Sequence, residues 1–153
     1  MKLLYALIFA LVIQLNVSAQ KPNPVYDSSL AKKLNGNDNG MKRYVLVMLK
    51  TGSNITTDKK LHDSLFGGHM NNLRRMADMG KLTVAGPLGK NDKTYRGIFI
   101  FNVETFEEAE KLLATDPAVA NKLLDAELYS LWCTAALQEI PEIHLKLQKN
   151  INP

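Results

Sequence analysis

Residues 43–49, RYVLVML, are apolar at almost every position, which predicts a short strand buried on both faces. A polar loop follows over 50–58. From residue 61 the period changes: Leu65, His69, Leu73 and Met76 follow the i, i+4, i+8, i+11 spacing of one helix face, and Gly80 stands where a left-handed C′ cap belongs. Residues 82–86, LTVAG, predict a strand closed by Pro87, and after the turn-forming LGKNDKT a longer strand is expected over 95–103, YRGIFIFNV. Thr105 and Glu108 make a T-x-x-E capping box for a second helix carrying Phe106, Ala109, Leu112 and Leu113. Asp116 and Pro117 suit the N-cap and first position of a further short helix with Val119, Leu123 and Leu124. Residues 127–133, ELYSLWC, predict the last core strand.

Strand, helix, strand, strand, helix, strand is the split βαβ order of an α+β, ferredoxin-like βαββαβ sandwich, in which two helices cover one face of a four-stranded sheet. Both parities of the central strands are apolar. Val45, Val47, Phe99 and Phe101 point one way, and Leu46, Met48, Ile98 and Ile100 the other. Large apolar patches are rare on soluble monomers, so the open face is expected to meet a second copy, giving a homodimer. In the tail, Ile143, Leu145 and Leu147 alternate with polar residues, which predicts an extra strand after Pro141.

The ends of the chain read differently. Residues 1–19 have Lys2, an apolar run over 3–13 and a small-residue finish at Val17-Ser18-Ala19, the pattern of a secretory signal peptide cleaved after Ala19. The run is too short to span a bilayer, so the mature chain is expected in the periplasm or outside the cell, with no membrane anchor. Residues 20–40 are rich in Pro, Asn, Ser and Gly and read as a leader with at most one helical turn near 29–34. That leaves a single domain over 41–137 and a tail over 138–153. Loss of Lys2 lowers the formal charge by one, from +4 to +3, and the remaining basic residues are short pairs interleaved with acids. Nucleic-acid binding needs a concentrated basic stripe, which is missing. Cys133 is the only cysteine, so no internal disulfide forms and the core holds by packing. It is expected to be a small buried residue.

His69 is the candidate for chemistry. It occupies an apolar stripe where a leucine would contribute about 1.5–3 kcal/mol on burial, and its ring nitrogens need partners instead. Asp116 is the second candidate, since an N-cap carboxylate is held in place by backbone N–H groups. Side-by-side helices on one face of the sheet permit the two to meet. A carboxylate paired with an imidazole orients it for acid–base work, but such pairs also serve structural ends, and the residues alone leave both readings open. Arg43 or Arg96 is available to hold an anionic substrate.

The runs HMNNLRRMADMGKLTVAGPL and GIFIFNVETFEEAEKLLATDPAV resemble the YCII-related family, over about 43–136. The shared features are the histidine, the Gly-x-Leu-x-x-Ala-Gly-Pro run and the acidic DP segment. The resemblance implies a dimeric α/β barrel built from ferredoxin-like protomers, each with a cleft, and a site made of His69 and Asp116. The chain departs from the family pattern at DPAVANKLL, at LYSLWC, which lacks a proline before Trp132, and at Gly68, where related sequences often carry a larger residue. These departures fall where a cleft wall belongs, so no relative's substrate transfers.

Similarity to muconolactone-isomerase-like and dehydrochlorinase enzymes implies a lyase or isomerase that moves a proton on a small cyclic or aromatic substrate, without cofactor. The alternative is a dimeric module that binds a small ligand without turnover. A bound metal is not expected: His62, His69, Cys133 and His144 lack ligand spacing. AGPLGKNDK lacks the P-loop pattern.

Overall fold

The computed structural model describes residues 21–150. The signal-peptide reading of 1–19 lies outside them. Four strands, β1 (Met41–Thr51), β2 (Leu82–Pro87), β3 (Tyr95–Phe101) and β4 (Leu124–Thr134), form one antiparallel sheet in the order β2-β3-β1-β4. With α2 (Lys59–Asp78) after β1, and α3 (Phe106–Leu113) and α4 (Pro117–Ala120) between β3 and β4, this is the ferredoxin-like βαββαβ fold. Before it comes α1 (Ser28–Lys33), where the single helical turn was expected, and after it a 3₁₀ turn (Ala135–Glu139) and α5 (Ile140–Leu147). Among the described residues no helix is long and apolar enough to cross a membrane.

The register pairs Val45 with Phe101 and Val47 with Phe99 on one face, and Leu46 with Ile100 and Met48 with Ile98 on the other. On the first face Val45, Val47, Leu49, Phe99 and Phe101 are buried against Met76 of α2 and Ala109 and Leu113 of α3. On the second, Leu46, Met48, Ile98 and Ile100 keep partial exposure, so β1 is not buried on both faces as its composition predicts. α2 and α3 cover the first face, and over most of the second the hydrophobic residues retain contact with water.

The leader and tail cover one end of that second face. Leu34 is buried beside the 3₁₀ turn, Gln138 Nε2 donates to Leu34 O (2.6 Å), and Lys33 pairs with Glu139 (3.0 Å). Tyr44 is fully buried there, its hydroxyl donating to the carbonyls of Thr134 and Ala135. The extra strand expected after Pro141 is instead α5. Proline stands in its first turn, Lys146 pairs with Glu142 one turn away, and Ile140, Ile143 and Leu147 fit the helical period as well as the alternation fits a strand.

Helix ends follow their local chemistry. Asp58 accepts from Lys60 N and Leu61 N at the start of α2, and Gly80 ends it at φ +66°, a conformation open to glycine. Thr105 Oγ1 accepts from Glu108 N at the start of α3. The short helix after Asp116 stops at Ala120, with Lys122 at φ +60°, so Leu123 and Leu124 leave it and Leu124 begins β4.

Candidate functional site

The inner face of α2 carries His69 to the sheet, where its ring stacks on Phe99 of β3 at 5.9 Å between centroids and 24° between planes. The turn between α3 and α4 brings Asp116 to the same place. Asp116 N donates to Leu113 O (2.9 Å) as α3 ends, and Asp116 O accepts from Ala120 N (2.8 Å) as α4 begins, so the backbone fixes the residue from both sides. His69 Nδ1–H donates to Asp116 Oδ2 at 2.7 Å, and Ala118 N–H donates to Oδ1 at 2.9 Å. The carboxylate is fully buried, and 8% of the imidazole side chain is exposed.

Because a carboxylate accepts and a ring N–H donates, this geometry assigns the proton of the neutral imidazole to Nδ1. Nε2 then carries the lone pair. It has no protein partner among the described residues, and no buried side-chain nitrogen or oxygen there lacks one, so Nε2 accounts for part of the exposed sliver of the ring. Phe66, one turn earlier on α2 and half exposed, stacks on the same ring at 5.6 Å, and His62 stacks on Phe66 at 6.4 Å.

A polar bracket ties the Asp116 turn to α2. Arg75 donates from Nη2 to Thr115 Oγ1 (2.7 Å) and to Asn72 Oδ1 (2.8 Å), and Thr115 Oγ1 donates to Leu112 O (2.7 Å) with Asn72 Oδ1 3.2 Å away. Phe66, Asn72, Arg75 and Thr115 were not singled out from the sequence. Asn72 carried a usable signal, a second polar residue on the buried side of α2 three positions after His69. Arg43 and Arg96 do not join the pair. Arg43 stacks over Trp132 at 5.4 Å, and Arg96 Nε donates to Thr51 Oγ1 at 2.7 Å.

The open face holds a second group of titratable residues. Glu127 accepts from Lys50 Nζ (2.9 Å) on one oxygen and from the hydroxyls of Tyr95 (3.1 Å) and Tyr129 (3.0 Å) on the other. These donors, Lys50 first, hold the Glu127 carboxyl below its usual range. The carboxylate in turn raises Lys50, Tyr95 and Tyr129. Burial, the largest cause, raises Tyr44 at the other end of the face. Cys133 is partly exposed rather than buried. Among the described residues no group of three or more His, Cys, Asp or Glu is placed to hold a metal ion. Two polar surface clefts, of about 360 and 320 Å³, are lined by neither His69 nor Asp116.

No family model matches the chain and no curated protein matches it, so the resemblance to the YCII-related family rests on the motifs. Among solved structures, one similar chain is 5-chloro-2-hydroxyhydroquinone dehydrochlorinase from Burkholderia phenoliruptrix AC1100, in complex with 2,5-dihydroxybenzoquinone. It is 18% identical, with 58% of this chain and 90% of that chain covered, at a TM-score of 0.36. A likeness at that level transfers neither substrate nor reaction. What the fold and site define is a ferredoxin-like α+β domain with a buried His–Asp pair that opens to solvent through one ring nitrogen.

Proposed function

We propose that the protein is a cofactor-independent acid–base enzyme, a lyase or isomerase for a small cyclic or aromatic substrate, with His69 as the base and Asp116 as its orienting partner. One observation carries this reading. Asp116 spends one oxygen on Ala118 N–H and the other on His69 Nδ1–H, which leaves Nε2 unpartnered at the surface. In the proposed cycle Nε2 takes a proton from an activated C–H, and Asp116 stabilises the imidazolium that forms. Returning the proton to another carbon completes an isomerisation; loss of a leaving group with its electron pair from the carbanion, the proton then passing from the imidazolium to that group or to water, completes an elimination. The exposed part of Phe66 beside the imidazole offers a flat apolar surface to a ring-shaped substrate.

The working unit is proposed to be a homodimer formed through the open sheet face, where Leu46, Met48, Ile98 and Ile100 would lose their remaining contact with water. Residues 1–19 are proposed to direct the chain to the periplasm or beyond, as a secretory signal.

Proton exchange in deuterated water tests the chemistry directly, using cyclic 1,2- and 1,3-diketones as probes because their α C–H is acidic. Exchange above the buffer rate is expected for the mature protein, falling by about 10²–10⁴-fold in His69→Ala, the usual contribution of a positioned base. A His69→Ala protein that exchanges as fast as the parent contradicts the assignment. If the parent binds a diketone tightly, without catalysed exchange, the non-catalytic binding module gains instead.

A further inference from the structure

α2 contains two adjacent glycines in very different surroundings. A Cβ placed on Gly67 meets nothing within 4 Å, whereas one on Gly68 would lie 2.9 Å from Pro117 Cγ and 3.2 Å from Pro117 Cβ. Gly68 directly precedes His69, and Pro117 directly follows Asp116. We infer that the bare backbone at Gly68, by leaving room for Pro117, sets the His69–Asp116 distance, making Gly68 a positioning residue for the pair.

The Thr115–Asp116–Pro117 turn meets α2 at three successive places. Thr115 is drawn in by Arg75, Asp116 bonds His69, and Pro117 lies where a Cβ on residue 68 would stand. The polar bracket pulls the turn onto the helix, and the bare backbone at position 68 decides how close it comes. A flexible side chain opposite would rotate out of the way of an added methyl. A proline ring can yield only by changing its pucker, its φ is fixed, and Asp116 beside it is held at both backbone ends. Relieving the clash means moving Pro117 from 2.9 Å to an ordinary contact of at least 3.4 Å. A shift of that size is taken up in the adjoining bond, since hydrogen bonds weaken steeply outside their narrow distance range. Glycine inside a helix is unfavourable, and of the two only position 68 is one where the surroundings exclude a side chain.

The catalytic consequence rests on the acid–base reading above, whereas the spacing claim does not, and the experiment keeps them apart. Imidazole ¹⁵N and ¹H spectra of the mature protein are compared with those of Gly68→Ala, Gly67→Ala, Pro117→Ala and the Gly68→Ala/Pro117→Ala double variant. In Gly68→Ala the hydrogen-bonded Nδ1–H resonance of His69 is expected to shift and lose its protection from solvent exchange. Gly67→Ala should leave it in place. The double variant, which removes Pro117 Cγ and leaves only the milder 3.2 Å approach of Cβ, should regain most of it, a non-additive result that a general loss of stability does not produce. An unchanged Nδ1–H in Gly68→Ala overturns the proposal, as does equal loss in Gly67→Ala. Should Gly68→Ala fail to fold, the double variant decides: a folded protein with the resonance restored supports the proposal, and one without it overturns it. Separately, loss of the Nδ1–H with undiminished proton exchange on diketones would defeat the acid–base reading and leave the spacing role standing.

Discussion

Asp116 and Glu127 are both carboxylates with several hydrogen-bond donors, and they lie on opposite sides of the protein's sheet. Asp116, on the helix side, is fully buried and holds one backbone amide and one imidazole. Glu127, on the open side, is partly exposed and holds a lysine and two tyrosines. The Glu127 group is closed: its carboxylate, ammonium and both hydroxyls answer one another. The Asp116 group is left open at a single atom, His69 Nε2, and that difference is why the helix side is read as the place of chemistry. Charged groups that satisfy one another set shape and pairing, while a lone pair held ready without a partner can take a proton.

The largest effect that sharpens this comparison is expected from Asp116→Ala. Removing one partner of a buried pair typically costs about 3–5 kcal/mol, and α4 loses its cap as well. Glu127→Ala should cost much less, because its partners remain in reach of water. Denaturant melts of the two variants give the ratio, and equal losses would erase the distinction between the two groups. Next comes the difference between the faces themselves. Phe99→Ala is expected to cost about 3–5 kcal/mol in the core. Ile98→Asp on the open face should chiefly convert a dimer to a monomer, as read by light scattering on a sizing column; a parent protein that is monomeric at micromolar concentration contradicts the proposed homodimer.

A smaller effect lies in pH. Glu127 has its carboxyl lowered from an ordinary value of 4.5 by Lys50 and the two tyrosines. Its contribution to stability is therefore present above the unfolded value and is lost as pH falls through the folded one. Glu127→Gln should flatten the acid limb of a stability profile below about pH 4.5 relative to the parent, and an unaltered limb would show that the network does not hold in solution. The smallest effect is a gain. Gly67→Ala faces open space in mid-helix and should stabilise by about 0.5–1 kcal/mol, measured as a higher midpoint in the same melts. Destabilisation there would mean that α2 tolerates no change near His69.

Much of the fold was legible in the sequence because it is local. The capping threonine, the Asp116-Pro117 start and the terminal Gly80 each act within a few residues, and the two apolar parities of β1 and β3 announced both a covered and an open face. The His69–Asp116 contact was partly legible, since the helix stripe and the cap placed both residues on one side of the sheet. The tail was misread because Ile143, Leu145 and Leu147 support period two while Ile140, Ile143 and Leu147 support period 3.6, and eight residues do not separate them. Other errors depended on distant partners. Nothing local marks Thr115 as the target of Arg75 forty residues away, and although Gly68 stood out as a departure from the family pattern, nothing local pointed to Pro117 against it.

In the proposed mechanism Asp116 fixes the tautomer of His69 and leaves Nε2 as the base. Imidazole ¹⁵N spectra of the protein and of Asp116→Asn read that tautomer. The neutral His69 ring is expected to carry its proton on Nδ1 in the parent. In Asp116→Asn the amide turns its NH₂ toward Nδ1, the proton moves to Nε2, and the base is lost with it. A parent ring protonated on Nε2, or the same tautomer in both proteins, would contradict the account.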